Sequence, residues 1–152
     1  MPQGGAPEPV RCDGSLAAAI SRDNSTLYFF RYPQSTNGEI GTEILKATPP
    51  DGKAEHLTSV RASRVSVSVA GMLSKDDSEL AMPLIDGQTG NVWALSTADG
   101  SMRPLTDFGD RSVLIARRVA WSSDNRFIYA AVADVDADIF VIRGLWPGVP
   151  QR

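Results

Sequence analysis

The chain has 152 residues, a net charge of −3 and a sequence pI near 5.1, with 42% apolar and 22% charged residues. That length fits one ordinary domain of globular composition, and the acidic balance argues against general binding to nucleic acid or anionic membranes. The single cysteine, Cys12, excludes an internal disulfide framework and a multi-cysteine zinc site, and no apolar run approaches the roughly 18–20 residues of a membrane helix.

Residues 1–14 read as a leader, or as the remnant of a preceding unit. MPQGGAPEP lacks the basic patch and greasy stretch of a secretory signal, which leaves two compartments open: cytoplasmic or, through a longer parent protein, periplasmic. Cys12, with only Arg11 as basic context, reads as an incidental thiol. Beyond it a tetrad Ser-x-Asp-Asn/Asp recurs three times. It occurs as SRDN (Ser21, Asp23, Asn24), SKDD (Ser74, Asp76, Asp77) and SSDN (Ser122, Asp124, Asn125), at intervals of 53 and 48 residues. A second marker, Asp-Gly-x-x-x-x-Leu-Thr, starts at Asp51-Gly52 and at Asp99-Gly100, and each time the next tetrad follows 23 residues later. Fixed internal spacing of this kind marks stacked structural units.

Both markers predict turns. Asp and Asn side chains bond backbone amides two residues on, and Asn tolerates positive φ, so each tetrad suits a tight hairpin connection. Gly after Asp supplies the left-handed conformation of a second hairpin. In chain order, unit one (15–58) runs through SRDN to LYFF at Leu27, a loop around RYPQSTNGEIG, TEILKAT and the Asp51 marker ending in Leu-Thr. Unit two (59–106) contains RVSVSV, whose Val65, Val67 and Val69 alternate as in a half-buried strand. It continues with SKDD, LAMPLI at Leu80 (weakened by Pro83), NVWALST and the Asp99 marker. Unit three (107–145) holds WSSDN, IYAAV at Ile128 and DIFVIR, and stops short of a fourth strand; WPGVPQR (146–152) is a tail.

No window of twelve residues shows helical periodicity. The expectation is an all-β chain: a partial β-propeller of about three four-stranded antiparallel blades, the last lacking its outer strand. The expected core is Ile20, Leu27, Phe29, Ile44, Leu73, Leu80, Val92, Leu95, Trp121, Ile128, Ile139 and Val141.

These motifs resemble the TolB-like (WD-repeat-like) propeller family, whose blades carry Trp-Ser-Pro-Asp-Gly, an apolar strand, Asp-Gly and Leu-Thr. Trp121-Ser122-Ser123-Asp124-Asn125 and DGSMRPLT carry the likeness, and it covers about residues 15–145. The chain departs from the pattern in lacking the proline in every copy, and Ile20 and Leu73 stand where the tryptophan belongs. The resemblance implies the C-terminal blades of a longer bacterial protein, in which such a propeller follows a kinase or winged-helix domain. Propellers close with four to eight blades, so three imply either remaining blades elsewhere or a second copy to complete the ring.

The chemistry-bearing residues are sparse. His56, the only histidine, matches Pro104 in the next unit and reads as a surface residue of a fourth strand. DVDAD (Asp134, Asp136, Asp138) superficially resembles a calcium loop, but Ile139 and Leu145 stand where glycine and an acid are required. Arg111, Arg117 and Arg118 read as a solvated rim or an anion- or partner-binding spot. Trp146 beside Pro147 reads as an exposed contact residue. No catalytic, cofactor or metal residues are assigned. The expected function is a non-catalytic module binding a protein or peptide, with no nucleic acid and no membrane insertion. The alternative is a sensor or regulatory propeller serving a kinase, winged-helix regulator or hydrolase in a longer parent.

Overall fold

In the computed structural model, which describes residues 14–31, 41–49, 52–65 and 71–134, the tetrads join the first two strands of three antiparallel sheets. The first sheet is β1 (Ser15–Ile20), β2 (Leu27–Arg31), β3 (Gly41–Ala47) and β4 (Glu55–Arg61), in that order. After a short 3-10 helix, Ala62–Arg64, the second is β5 (Met72–Leu73), β6 (Glu79–Asp86), β7 (Thr89–Ser96) and β8 (Met102–Pro104). The third comprises β9 (Val113–Trp121) and β10 (Ile128–Asp134). There is no α-helix among the described residues, and the fold is all-β with several antiparallel sheets.

The first two sheets share one register. Leu45 lies opposite His56 in the first and Trp93 opposite Pro104 in the second, which is the same pairing shifted by the repeat. The sheets stack through two apolar seams. Phe30, Ile44 and Val60 of the first sheet meet Leu80, Met82, Leu84 and Leu95 of the second, and Ala81 and Val92 on its other face meet Val113, Ile115 and Val119 of the third. Because β6 and β7 are covered on both faces, they read as continuous apolar runs rather than alternating ones. Pro83 sits within β6 without breaking it: the strand stays paired with β7 along its length, Pro83 lying opposite Val92, while β5 pairs with Leu80 and Ala81.

Several expectations need correction. Ile20 is 49% exposed. It occupies the place that Leu73 and Trp121 take in the later sheets, where each packs against the sheet before it. For Ile20, no such sheet exists among the described residues. Leu27, Leu73, Trp121 and Ile128 are only half-buried. Strand β4 continues to Arg61, past the expected unit boundary at 58, because Thr42 and Gly41 extend its pairing to Val60 and Arg61. Strand β8 ends before Leu105-Thr106, where the Leu105 and Thr106 amides both donate to the Val92 carbonyl (2.8 and 3.3 Å). Val65 forms a lone bridge to Leu84. Val67, Val69, DIFVIR with Ile139 and Val141, and most of the RYPQSTNGEIG loop lie outside the described residues.

Candidate functional site

Antiparallel order places the tetrad turns and the β7–β8 turn at one end of the sheets, and the β6–β7 hairpin and the inter-sheet connections at the other. The turn end is built three times on one plan. Asn24, Asp77 and Asn125 have φ of 60°, 58° and 57°, the left-handed region that Asn and Asp accept most readily among non-glycine residues. In each turn the serine hydroxyl donates to the Asp two residues on: Ser21 to Asp23 (2.7 Å), Ser74 to Asp76 (2.7 Å) and Ser122 to Asp124 (2.6 Å). The same hydroxyls accept the amides of Thr26, Glu79 and Phe127 at 2.9–3.0 Å.

These bonds stabilise the ionised carboxylates. The Ser21, Ser74 and Ser96 hydroxyls, with further amide and hydroxyl donors, lower Asp23, Asp76 and Asp99 to about 2, and the Ser122 hydroxyl lowers Asp124 in the same direction. Successive turns are also stitched together. The Arg22 amide donates to Asp77 Oδ2 (2.8 Å), the Lys75 amide to Asn125 Oδ1 (2.7 Å), and Asn125 Nδ2 to Asp76 Oδ1 (3.2 Å). Gly100, at φ +73°, closes the Asp99 turn, and Gly52 donates its amide to the Thr48 carbonyl (2.8 Å) as Gly100 does to Ser96 (3.0 Å). Asp51 lies outside the described residues.

The opposite end carries a different arrangement. Gly87, at φ +66°, and Gln88 form the two-residue hairpin between Asp86 and Thr89. The Asp86 carboxylate takes Arg64 Nε and Nη2 (3.1 and 2.5 Å), Trp93 Nε1 (2.8 Å) and Asn91 Nδ2 (3.3 Å). The Arg64 guanidinium also stacks 4.5 Å from the Trp93 ring centre. Asn91 Oδ1 accepts Thr106 Oγ1 (3.1 Å) and the Phe108 amide (3.2 Å), so one chain of hydrogen bonds ties both inter-sheet connections to β7.

Beside this network, at the second seam, lies a cleft of about 150 Å³ walled by Pro83, Ile85, Gln88, Gly90, Ser112 and Val113. Gly90 shapes it: a Cβ there would approach the Val113 carbonyl to 2.9 Å, so glycine lets β9 come close.

Of the expected contact residues, Arg118 is exposed on β9 and Arg117 is its neighbour, with a side chain outside the described set. Both fall in the bulge where pairing jumps from Ala116↔Ala131 to Val119↔Ala130. Strand β1 is bulged at the same register, between Leu16 and Ala18. Arg111 does not join them. It pairs with Asp134 (2.6 Å) and lies 5.9 Å from the Phe108 ring centre. His56 is exposed on β4 with its Nε2 2.8 Å from Ser59 Oγ. Trp146, Cys12, Asp136 and Asp138 lie outside the described residues.

Sequence reasoning missed Arg64, Asp86, Asn91 and Thr106. The available signal was Asp86-Gly87, an Asp-Gly step in the second unit besides the Asp99-Gly100 marker. Comparison with protein-family models, with curated proteins and with solved structures gives no match.

Proposed function

We propose that the chain is a non-catalytic binding module, an arc of a TolB-like β-propeller that takes a protein or peptide segment at the loop end of its second seam. The repeated sheet, joined to its neighbour turn by turn, supports the propeller reading. One observation carries the choice of ligand, namely the size of the cleft. Small-molecule and cofactor sites run to about 300–1,000 Å³. A space of about 150 Å³ holds a single anchoring side chain, which is how peptide and protein contacts concentrate their energy. The apolar wall of Pro83, Ile85 and Val113 suits an aliphatic or aromatic anchor, and Gln88 and Ser112 at its rim supply polar contacts. Rigid sheets hold the connections that form this end, as binding loops require.

Selecting peptides from a displayed library on the purified chain tests the reading. Selected peptides should bind Ser112→Trp, which fills the cleft from an exposed position, at least tenfold more weakly than the parent chain. Equal binding to both proteins, or no selectable peptide, would overturn it.

A further inference from the structure

The connection from β8 to β9 sets the charge at the mouth of the cleft. Residues 108–111 form a tight turn, closed by the Arg111 amide on the Phe108 carbonyl (3.4 Å), with Gly109 at φ +60°. Its backbone is pinned to β7. Thr89 Oγ1 donates between the Gly109 and Arg111 carbonyls (3.1 and 2.6 Å), and Asn91 Oδ1 accepts the Phe108 amide (3.2 Å). Thr89 stands between Gln88 and Gly90, and Ser112 follows Arg111, so the pinned turn leads directly into the cleft wall.

Four carboxylates lie on the elements that form this end, and they differ in what they already hold. Asp86 is engaged by Arg64, Trp93 and Asn91. Asp134, opposite Val113, is paired with Arg111. Asp107 and Asp110 are exposed and have no cationic partner among the described residues. Asp107 Oδ1 takes only the Gly109 amide (2.9 Å). Asp110 stands two residues from Ser112, at most about 7 Å between Cα atoms. Arg64 and Arg111 are both held in the pairs just named. Arg117 and Arg118 lie in the β9 bulge, past the lining residue Ile115 and towards the opposite end. An apolar slot thus opens beside two uncompensated negative charges.

We infer that the segment taken by the cleft is basic: an aliphatic or aromatic anchor with Lys or Arg about two or three residues from it, the reach an extended strand needs to meet Asp110. The inference rests on the cleft being the peptide site and adds the chemistry of its ligand. The walls hold the anchor, but Gln88 and Ser112 at the rim are uncharged and do not select by sign. Asp107 and Asp110 sit on a pinned backbone and are in place before a ligand arrives, whereas an acidic flank would meet two like charges. Asp134 is a third carboxylate held back only by an exposed ion pair, which is weak.

Two displayed libraries with a central Leu, Ile, Phe or Trp provide the test, one flanked by Lys or Arg and the other by Asp or Glu. Binders should come from the basic library. Asp107→Asn, which keeps the acceptor for Gly109, and Asp110→Asn should each weaken them about threefold, and together about tenfold. Arg111→Ala frees Asp134 and should tighten them about threefold, a sign that a merely disturbed turn would not give. Raising salt from about 0.05 to about 0.5 M should weaken them about tenfold. Glu55→Gln makes the same charge change on β4 at the opposite end and should leave binding unchanged, which separates the mouth from the net charge of −3. Binders drawn equally or mainly from the acidic library, or basic binders indifferent to both Asp variants, would overturn the inference. The peptide-binding reading stands in that case if the same binders lose affinity for Ser112→Trp. Failure of both libraries, or binding unaffected by Ser112→Trp, would overturn the two together.

Discussion

The Lys75 amide and the Asn125 side chain, fifty residues apart, meet at 2.7 Å across the second seam, as Arg22 and Asp77 meet at 2.8 Å across the first. This contact sets what the second and fourth turn positions must supply. Proline at the second turn position would have no N–H to give, and glycine at the fourth would have no acceptor. The chain keeps an amide and an Asn or Asp at these places in all three copies, and two of those pairs are joined. Asn125→Gly retains the left-handed backbone and should cost about 1 kcal/mol through the lost seam bonds. Asn125→Ala should cost about 1 kcal/mol more, because a Cβ is strained at φ 57°. Urea unfolding measures both, and Lys75→Pro added to Asn125→Gly should bring no further loss of the shared bond.

The turn carboxylates make stability depend on acid. Asp23, Asp76 and Asp99 titrate at about 2 in the folded chain against an ordinary 3.8, because hydroxyl and amide donors stabilise the ionised form. A group depressed on folding contributes stability above its unfolded value and loses it as pH falls through its folded one. The unfolding midpoint should therefore hold steady above pH 4 and fall between pH 4 and 2. Asp76→Asn should flatten that fall, which urea melts across the acid range would record. A midpoint falling equally in Asp76→Asn would show that the acid sensitivity arises at other carboxyls.

Leu80 and Ile20 separate the apolar positions that the sheets cover from those they leave open. Leu80 is fully buried in the first seam, and Leu80→Ala should cost about 2–5 kcal/mol through lost burial and the cavity left behind. Ile20→Ala, at a half-exposed site, should cost about 0.5 kcal/mol or less. Thermal melts of both compare them directly.

The turns and the strand order were legible because each depends on a few local side chains. Ser-x-Asp-Asn encodes its own hydrogen bonds, and its recurrence fixed where successive first hairpins fall. The division of apolar residues between covered and open faces was not legible, because it depends on whether another sheet lies alongside. Ile20 and Trp121 occupy equivalent turn-flanking places and differ in burial only through that neighbour. The Arg64–Asp86–Trp93 contact was hidden for a similar reason. Arg64 reaches from the connection between the first two sheets to a hairpin of the second, and although all three residues fall in the expected second unit (59–106), no turn motif or apolar spacing there records a contact among them.

Gly87 and Gly100 separate backbone strain from close approach. Both have positive φ, +66° and +73°, so alanine at either is strained by about 1–2 kcal/mol. A Cβ at Gly87 would meet open space, whereas one at Gly100 would collide with the Leu57 carbonyl of the first sheet. That carbonyl is backbone of β4, at Leu57 where the pairing with β3 shifts register, and it is not the far end of a flexible side chain. Gly100→Ala should therefore destabilise by at least about 1 kcal/mol more than Gly87→Ala, the excess being the cost of parting the two sheets at the turn end. Adding Asn125→Gly would distinguish a local clash from a loosened array. Independent seams give additive losses in urea unfolding, and a shared loosening gives less than the sum.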